Sequence, residues 1–427
     1  MTSDSNKYAN VDYRLKNLTN ALYLTSNNDV AIRTGVTFSD SSASSAFSRL
    51  RVTDATTINA YKTIYGIQTG PNDFNNSTNG TASVTYVANS AAYNLSIGTT
   101  SGDYVIRQSK EYHSYKPGCG QIALVTGVLA DTKNNLTQRV GYFDDRNGIY
   151  FEHANSAAGT TTLSWNIRTS ISNTAVTSET ASSSDWNIDK FDGTGPSGLT
   201  LDFTKSQIYV IDFQWLGVGR VRCGFDIDGQ LYYAHEFLHS NHTAGVYMST
   251  PSLPIRWEIR NTNTTTSGST LKAICAAVQS EGGTEAESWQ FNFSTGNTGV
   301  TCSTTDKGVV AFRLKGNVNN MHNRTTARLA SYNLFGSQSA YYTVYHLANV
   351  AQISGTPTWT SVSTASHCEY TTNFSLIAGY IANSLPINGG FISTAQGSAN
   401  GSASSLVTSK KASVYQNYDS TDSEIIA

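Results

Sequence analysis

Gln207-Ile208-Tyr209-Val210-Ile211-Asp212-Phe213-Gln214-Trp215-Leu216-Gly217-Val218-Gly219-Arg220-Val221-Arg222-Cys223-Gly224-Phe225-Asp226-Ile227-Asp228-Gly229 reads as a long strand, a glycine-rich turn, a second strand and an Asp-Gly turn. Tyr232 to Leu238 supplies a third strand, and a meander this regular predicts an all-β, antiparallel sandwich. The register follows from side-chain chemistry. A three-residue turn at Leu216 to Val218, with Gly219 as a left-handed bulge residue, sets Asp212 opposite Arg222 and Gln214 opposite Arg220. On the other side Ile211 then faces Cys223, Phe213 faces Val221 and Tyr209 faces Phe225. A two-residue turn would slip the strands and put Phe213 opposite Arg222, mixing the faces. The Asp212–Arg222 pair is expected to contribute about 0.2–1 kcal/mol, setting register more than stability.

The surrounding chain has 427 residues, long enough for two or three domains. Charged residues make up 14% and the net charge is −2, so no strong field draws in nucleic acid or an anionic membrane. Seven Pro, 34 Gly and abundant Ser, Thr and Asn suit many short strands joined by tight turns. The 24 Tyr can fill cores and still serve interfaces. Five cysteines, at 119, 223, 275, 302 and 368, are odd in number and lack CxxC spacing. That argues against a disulfide framework and against zinc, and Cys223 and Cys275 read as buried free thiols in a reducing cytoplasm. Met1 to Asn10 is polar, so no signal peptide is expected, and no apolar run approaches the ~20 residues of a membrane helix.

Residues 1–55 read as an N-terminal arm. Val11 to Leu24 carries a short amphipathic helix pattern through Val11, Leu15, Leu18 and Leu22. Ser39 to Ser45 is a flexible Ser/Ala run, and Phe47-Ser48-Arg49-Leu50-Arg51-Val52 closes the arm with a basic, hydrophobic plug. So polar an arm is expected to order on a neighbouring subunit, with Leu15, Leu18, Leu22, Phe47, Arg49, Leu50 and Arg51 as the assembly residues. Residues 56–298 read as the main β-sandwich domain, with strands at Val84 to Ala88, Tyr104 to Arg107, Gln121 to Leu129, Arg139 to Phe143, Ile149 to Glu152, Thr162 to Thr169, Ile255 to Ile259 and Leu271 to Val278. Residues 299–427 read as a second, smaller β domain, with strands at Val309 to Leu314, Ala340 to Leu347, Ser375 to Ile381 and Ala412 to Tyr415.

Motifs that carry chemistry are sparse. Asp144, Asp145, Asp185, Asp189 and Asp192 invite a calcium reading, yet they lie where turns are needed and no dedicated calcium loop is present. His235, His239 and His242 read as an exposed cluster at a strand end, because no Cys or carboxylate completes a metal shell. There is no Gly-x-Ser-x-Gly and no Walker loop. His235-Glu236-Phe237-Leu238-His239 has the His-Glu-x-x-His spacing, but Leu231 to Leu238 alternates like a strand rather than the helix that motif needs. Glu281 and Glu285 are acids that could hydrolyse sugars, although glycosidase pairs usually lie far apart in sequence. The expectation is therefore no catalytic residue, no cofactor and no metal. Asn-x-Ser/Thr matches such as those at Asn17, Asn76 and Asn79 are read as chance in so Asn- and Thr-rich a chain. Trp165, Trp215 and Trp257 sit in strand context and read as core, whereas Trp186 lies in a long loop where it is the candidate platform for a sugar ring.

Several segments resemble a family of virion structural proteins of tailed phages, marine and cyanobacterial ones above all. These are Phe47 to Val52, Arg107-Gln108-Ser109-Lys110-Glu111-Tyr112, Tyr115-Lys116-Pro117-Gly118, Arg139-Val140-Gly141-Tyr142-Phe143-Asp144, Asn147 to Glu152, Trp186 to Gly198, Gln214 to Gly224, Ile274-Cys275 and Ser280-Glu281-Gly282-Gly283. Cys119, after Pro117-Gly118, departs from that pattern. The resemblance implies a virion component, assembled in the host cytoplasm, without enzymatic role, that homo-oligomerises and joins other virion proteins on the capsid, neck or tail. The Ile227-Asp228-Gly229 turn also resembles sandwiches of the laminin-G and legume-lectin kind, which implies a jelly-roll or lectin-like fold. It offers the alternative of a receptor-binding module for host glycan on a fibre or capsid surface. Neither reading calls for nucleic acid or membrane insertion.

Overall fold

The computed structural model describes residues 22–24, 30–32, 44–51, 55–64, 66, 74–171, 174–283, 289–296, 299–301, 306–355, 357–372, 374–377, 385–393, 401–406, 413–414 and 425–427. The chain forms two compact units, Met1–Val52 and Thr53–Ala427.

In the first unit β1 (Leu22–Leu24) pairs antiparallel with β2 (Val30–Ile32), Leu22 opposite Ile32. This corrects the helix expected to run to Leu24. Tyr23, Val30 and Ile32 are aromatic or β-branched and fit an extended ladder, which here prevails over the Leu15–Leu18–Leu22 spacing. Leu15 and Leu18 lie outside the described residues.

The second unit holds the sandwich. Its strands are β3 (Thr56–Tyr61), β4 (Phe74–Asn79), β5 (Ser83–Val87), β6 (Ala92–Ile97), β7 (Tyr104–Ser109), β8 (Gln121–Val128), β9 (Leu136–Phe143), β10 (Gly148–Asn155), β11 (Thr161–Thr169), β12 (Val176–Ser182), β13 (Gln207–Phe213), β14 (Val221–Ile227), β15 (Gln230–Phe237), β16 (Ile255–Asn261) and β17 (Ser269–Ser280). One sheet has the order β12-β11-β10-β9-β16-β7-β4. The other runs β15-β14-β13-β8-β17-β6-β5, with β3 also paired to β17. Every pairing is antiparallel. Alternation aims one face of each sheet inward. Val140, Tyr142, Phe151, Trp165, Trp257 and Ile259 of the first sheet meet Val125, Tyr209, Ile211, Phe213, Phe225 and Leu271 of the second in one continuous core.

The meander has the expected register: Asp212 faces Arg222, Ile211 faces Cys223, Phe213 faces Val221 and Tyr209 faces Phe225. Its first turn differs in detail. Positive φ falls on Leu216 (37°) and Gly217 (83°) rather than on Gly219. The Gly219 N–H closes the turn by donating to Trp215 O at 2.7 Å. Asp228 and Gly229 (φ 54° and 83°) form the second turn, where two positive φ values match the right-handed twist of the strands. The Asp212–Arg222 pair is not a surface pair. Both side chains are fully buried, 2.5 Å apart, and the Tyr233 hydroxyl donates to Asp212 Oδ2 at 2.6 Å. Losing one member would cost about 3–5 kcal/mol, well above the value for an exposed pair.

Beyond Ser280 the chain builds a smaller six-stranded sheet. Its order is Thr360–Ser361, Cys368–Thr371, Ala311–Leu314, Ile425–Ile426, Ala340–Leu347, Leu385–Ile392. Phe312, Leu314 and Ile426 cluster in one small core, and Ala311, Leu347, Ile353, Phe374 and Ile425 in another. Ile425 and Ile426 are thus a central strand, with Phe312 and His346 flanking Ile426.

Candidate functional site

Two surfaces of the second unit have the composition of binding sites. The first is on the outward face of the β9–β10–β11–β12–β16 sheet. Alternation that sends Val140, Tyr142, Trp257 and Ile259 inward sends Arg139, Arg256, Glu258 and Arg260 outward. Register then sets Arg139 opposite Glu258 on one side and Glu152 on the other. Gly141, between Arg256 and Tyr150, has no room for a side chain, since a Cβ would meet Tyr150 Cα at 2.7 Å. The result is a cavity of about 260 Å³ lined by Arg139, Asp145, Arg168, Val176, Arg256, Glu258 and Arg260, among others.

One carboxylate ties this face together. Glu258 Oε1 accepts from Arg139 at 2.8 Å and lies 2.9 Å from Arg260 Nε, while Oε2 accepts from Arg256 at 2.7 Å. Arg256 also reaches Asp145 (2.7 Å), and Arg139 reaches Glu152 (2.5 Å). Burial alone would raise the Glu258 carboxyl, but the Arg256, Arg139 and Arg260 guanidinium groups outweigh it and hold it well below the usual carboxylate range. Arg168 has a different environment. Its guanidinium donates to the Asp144 carbonyl at 2.9 Å and lies 5.0 Å from the Tyr150 ring centre.

The second surface lies on the C-terminal sheet. Tyr341 and Phe391 are directly opposite each other on adjacent strands, rings 4.8 Å apart, and are 87% and 47% exposed. Gly389, two residues before Phe391, shares its face of the strand and leaves backbone beside the pair, whereas Gly390 faces the other side against the Tyr342 ring. Phe335, 80% exposed, is the last residue but one of the preceding strand, Ser331–Gly336, five residues before Ala340 begins the Tyr341 strand.

The sites expected from sequence are placed as follows. Trp186 is 4% exposed; its indole N–H donates to Ala181 O at 3.1 Å and its ring packs edge-on against Phe191. It is a core residue, which corrects the sugar-platform expectation: a loop this long folds back over the sandwich and uses Trp186 and Phe191 to cover it. Leu22 lies in β1. Phe47, Arg49, Leu50 and Arg51 belong to a small turn in which Ser44 bridges to Leu50 and the Ser45 hydroxyl accepts the Phe47 N–H. There Arg49 sits 5.1 Å over the Phe47 ring and Leu50 is exposed.

Three of the five aspartates cap backbone, and Asp145 pairs with Arg256. Asp144 accepts the Arg146 and Asn147 N–H groups, Asp189 those of Phe191 and Ser197, and Asp192 that of Thr194. Among the described residues no three His, Cys, Asp or Glu side chains gather as metal ligands. The histidines diverge. His239 is buried rather than exposed, contacting Gly219 O (2.7 Å) and Glu179 (3.0 Å) and stacking on Tyr247, whereas His242 is on the surface. Cys223 is buried, but Cys275 is only half-buried, which corrects the expectation for that thiol.

Neither surface was identified from sequence. The signal for the first was Arg256-Trp257-Glu258-Ile259-Arg260, a strict charged/apolar alternation; for the second it was Tyr341-Tyr342-Thr343 in a strand with too few apolar neighbours to bury every ring.

No known protein family matches the sequence, and no curated protein matches it. Among solved structures, the chain is similar to the Emp47p carbohydrate recognition domain at 7% identity and TM-score 0.32, over 53% of this chain and 96% of that one. It is also similar to a legume lectin-like domain from Entamoeba histolytica, at 7% identity and TM-score 0.32, over 53% and 98%. A third is the CBM2 module of the evolved Dit of Lactobacillus casei BL23 phage J-1, at 8% identity and TM-score 0.33, over 55% and 98%.

Proposed function

We propose that the chain is a non-catalytic structural component of a tailed-phage particle and that its C-terminal β unit gives the particle a carbohydrate-binding face. The particle role is supported by the sequence resemblance spanning roughly residues 47–290. The binding role is carried by one observation: the cross-strand Tyr341–Phe391 pair, 87% and 47% exposed, with Gly389 beside it on the same face. Aromatic rings are normally covered, and an exposed group of them marks a binding surface. Rigid rings next to low backbone suit the flat apolar face of a sugar, with hydroxyls free to meet surrounding amide and hydroxyl groups.

Binding of the full-length protein to an array of bacterial surface polysaccharides tests this. Tyr341→Ala and Phe391→Ala should each weaken binding about tenfold or more, with the thermal melt unchanged. Undiminished binding in both variants would refute the proposal. Loss of self-association in the variants, with no glycan bound by the parent, would instead assign the face to subunit contacts.

A further inference from the structure

We propose that the outward face of the β9–β10–β11–β12–β16 sheet is a second binding site, specific for one small oxyanion, a sulfate or carboxylate group, held by Arg139, Arg168, Arg256 and Arg260. The observation is independent of the aromatic face and lies on the sandwich.

The argument begins with charge. Four guanidinium groups line the cavity, and the carboxylates that touch them are Asp145, Glu152 and Glu258. Glu258 is divided among three of the arginines. Arg168 has no carboxylate within ion-pair distance among the described residues. The face therefore carries excess positive charge although the chain as a whole is at −2. The floor is dry: Arg256 and Glu258 are each 1% exposed, so charges there are weakly screened. Arg256 Nε is buried with no hydrogen-bond partner among the described residues, a donor that a folded protein seldom leaves unused.

Size and geometry narrow the ligand. About 260 Å³ falls below the range of ~300–1,000 Å³ for drug-sized pockets, which suits one small anionic group. Planar guanidinium forks bind carboxylate and sulfate oxygens in pairs of parallel hydrogen bonds. A nucleic-acid backbone would instead need a basic stripe running beyond the cavity, and the flanking rim holds Asp145. Asp145, 53% exposed, is the internal competitor: its carboxylate occupies Arg256 at 2.7 Å from the solvent side.

Titration calorimetry of the full-length protein against sodium sulfate, sodium acetate and sodium glucuronate at low ionic strength tests the proposal. At least one of these should saturate a single site. Arg168→Gln should weaken it roughly tenfold, and so should Arg260→Gln, whose side chain is at the rim and leaves the floor intact. Asp145→Asn, by removing the competitor, should tighten it several-fold. A merely structural ion network predicts no such opposition of sign. Glucuronate binding more tightly than acetate would assign the anion to an acidic sugar, and sulfate binding above both to a sulfate group. No saturable binding by any anion, or the same affinity in all three variants, would overturn the proposal.

Discussion

Replacing Glu258 by Gln tests how the sandwich tolerates its charged outer face. The carboxylate is buried and meets Arg139, Arg256 and Arg260 at 2.8, 2.7 and 2.9 Å. Removing one member of a buried ionic group costs ~3–5 kcal/mol, because the remaining charge stays desolvated. Glutamine preserves volume and one acceptor oxygen, so the expected loss at pH 7 is about 3 kcal/mol, a large share of the roughly 5–15 kcal/mol of a folded domain. The pH dependence has a definite sign. The folded Glu258 carboxyl is held below its unfolded value of about 4.3. Its contribution is therefore complete above about pH 4.3 and is lost as pH falls toward the folded value. The stability gap between parent and Glu258→Gln should be constant from pH 8 to 5, then close by about 1.4 kcal/mol per pH unit below 4.3. Urea unfolding followed by the fluorescence of buried Trp165 and Trp257 at pH 7, 5 and 3.5 measures it. A loss under about 1 kcal/mol at pH 7, or a gap of equal size at pH 3.5, would show that the arginines are satisfied without Glu258.

Two further outcomes follow from buried groups. Burial raises the Cys223 thiol well above its ordinary value, so it should resist an aromatic disulfide reagent in the native protein and react once urea unfolds the chain; fast native labelling of Cys223 would refute its placement. Arg324 pairs with buried Asp144 at 2.9 Å, and the adjacent His322 is brought down to about 4 by burial. A histidine held below its unfolded value of ~6.5 destabilises as pH drops from there toward 4. Limited proteolysis near residues 321–324 should thus rise across that window, and Arg324→Ala should show the raised cleavage already at pH 7.

The parts legible in the sequence were those decided by neighbouring residues. Asp212 and Arg222 could be paired because one turn joins their strands and a slip would have mixed polar with apolar. Burial of that pair was not legible, since it depends on Tyr233 and on what lies over the sheet. The arginine cavity was hidden for a related reason. Arg139, Arg168 and Arg256 are far apart in the chain and meet only through the β9–β10, β10–β11 and β9–β16 registers. Trp186 misled because a polar, glycine-rich segment reads as exposed whether or not it folds back on the core. The positive φ at Leu216 rather than Gly219 shows that the turn is set by closure between Trp215 and Gly219, not by glycine position alone.

The position of Ile425 and Ile426 bears on how the protein is made. During synthesis the sandwich strands, all complete by Ser280, emerge from the ribosome long before these residues do. The Ala311–Leu314 and Ala340–Leu347 strands, by contrast, have a gap between them that only residues 425–426 fill, with the Ala427 N–H and carbonyl locked onto Tyr345. Until residue 427 is free of the exit tunnel the smaller sheet is two halves with open edges, a state prone to pairing with other chains. The nascent chain thus keeps its smaller sheet unfinished, and adhesive, until residues 425–427 have emerged.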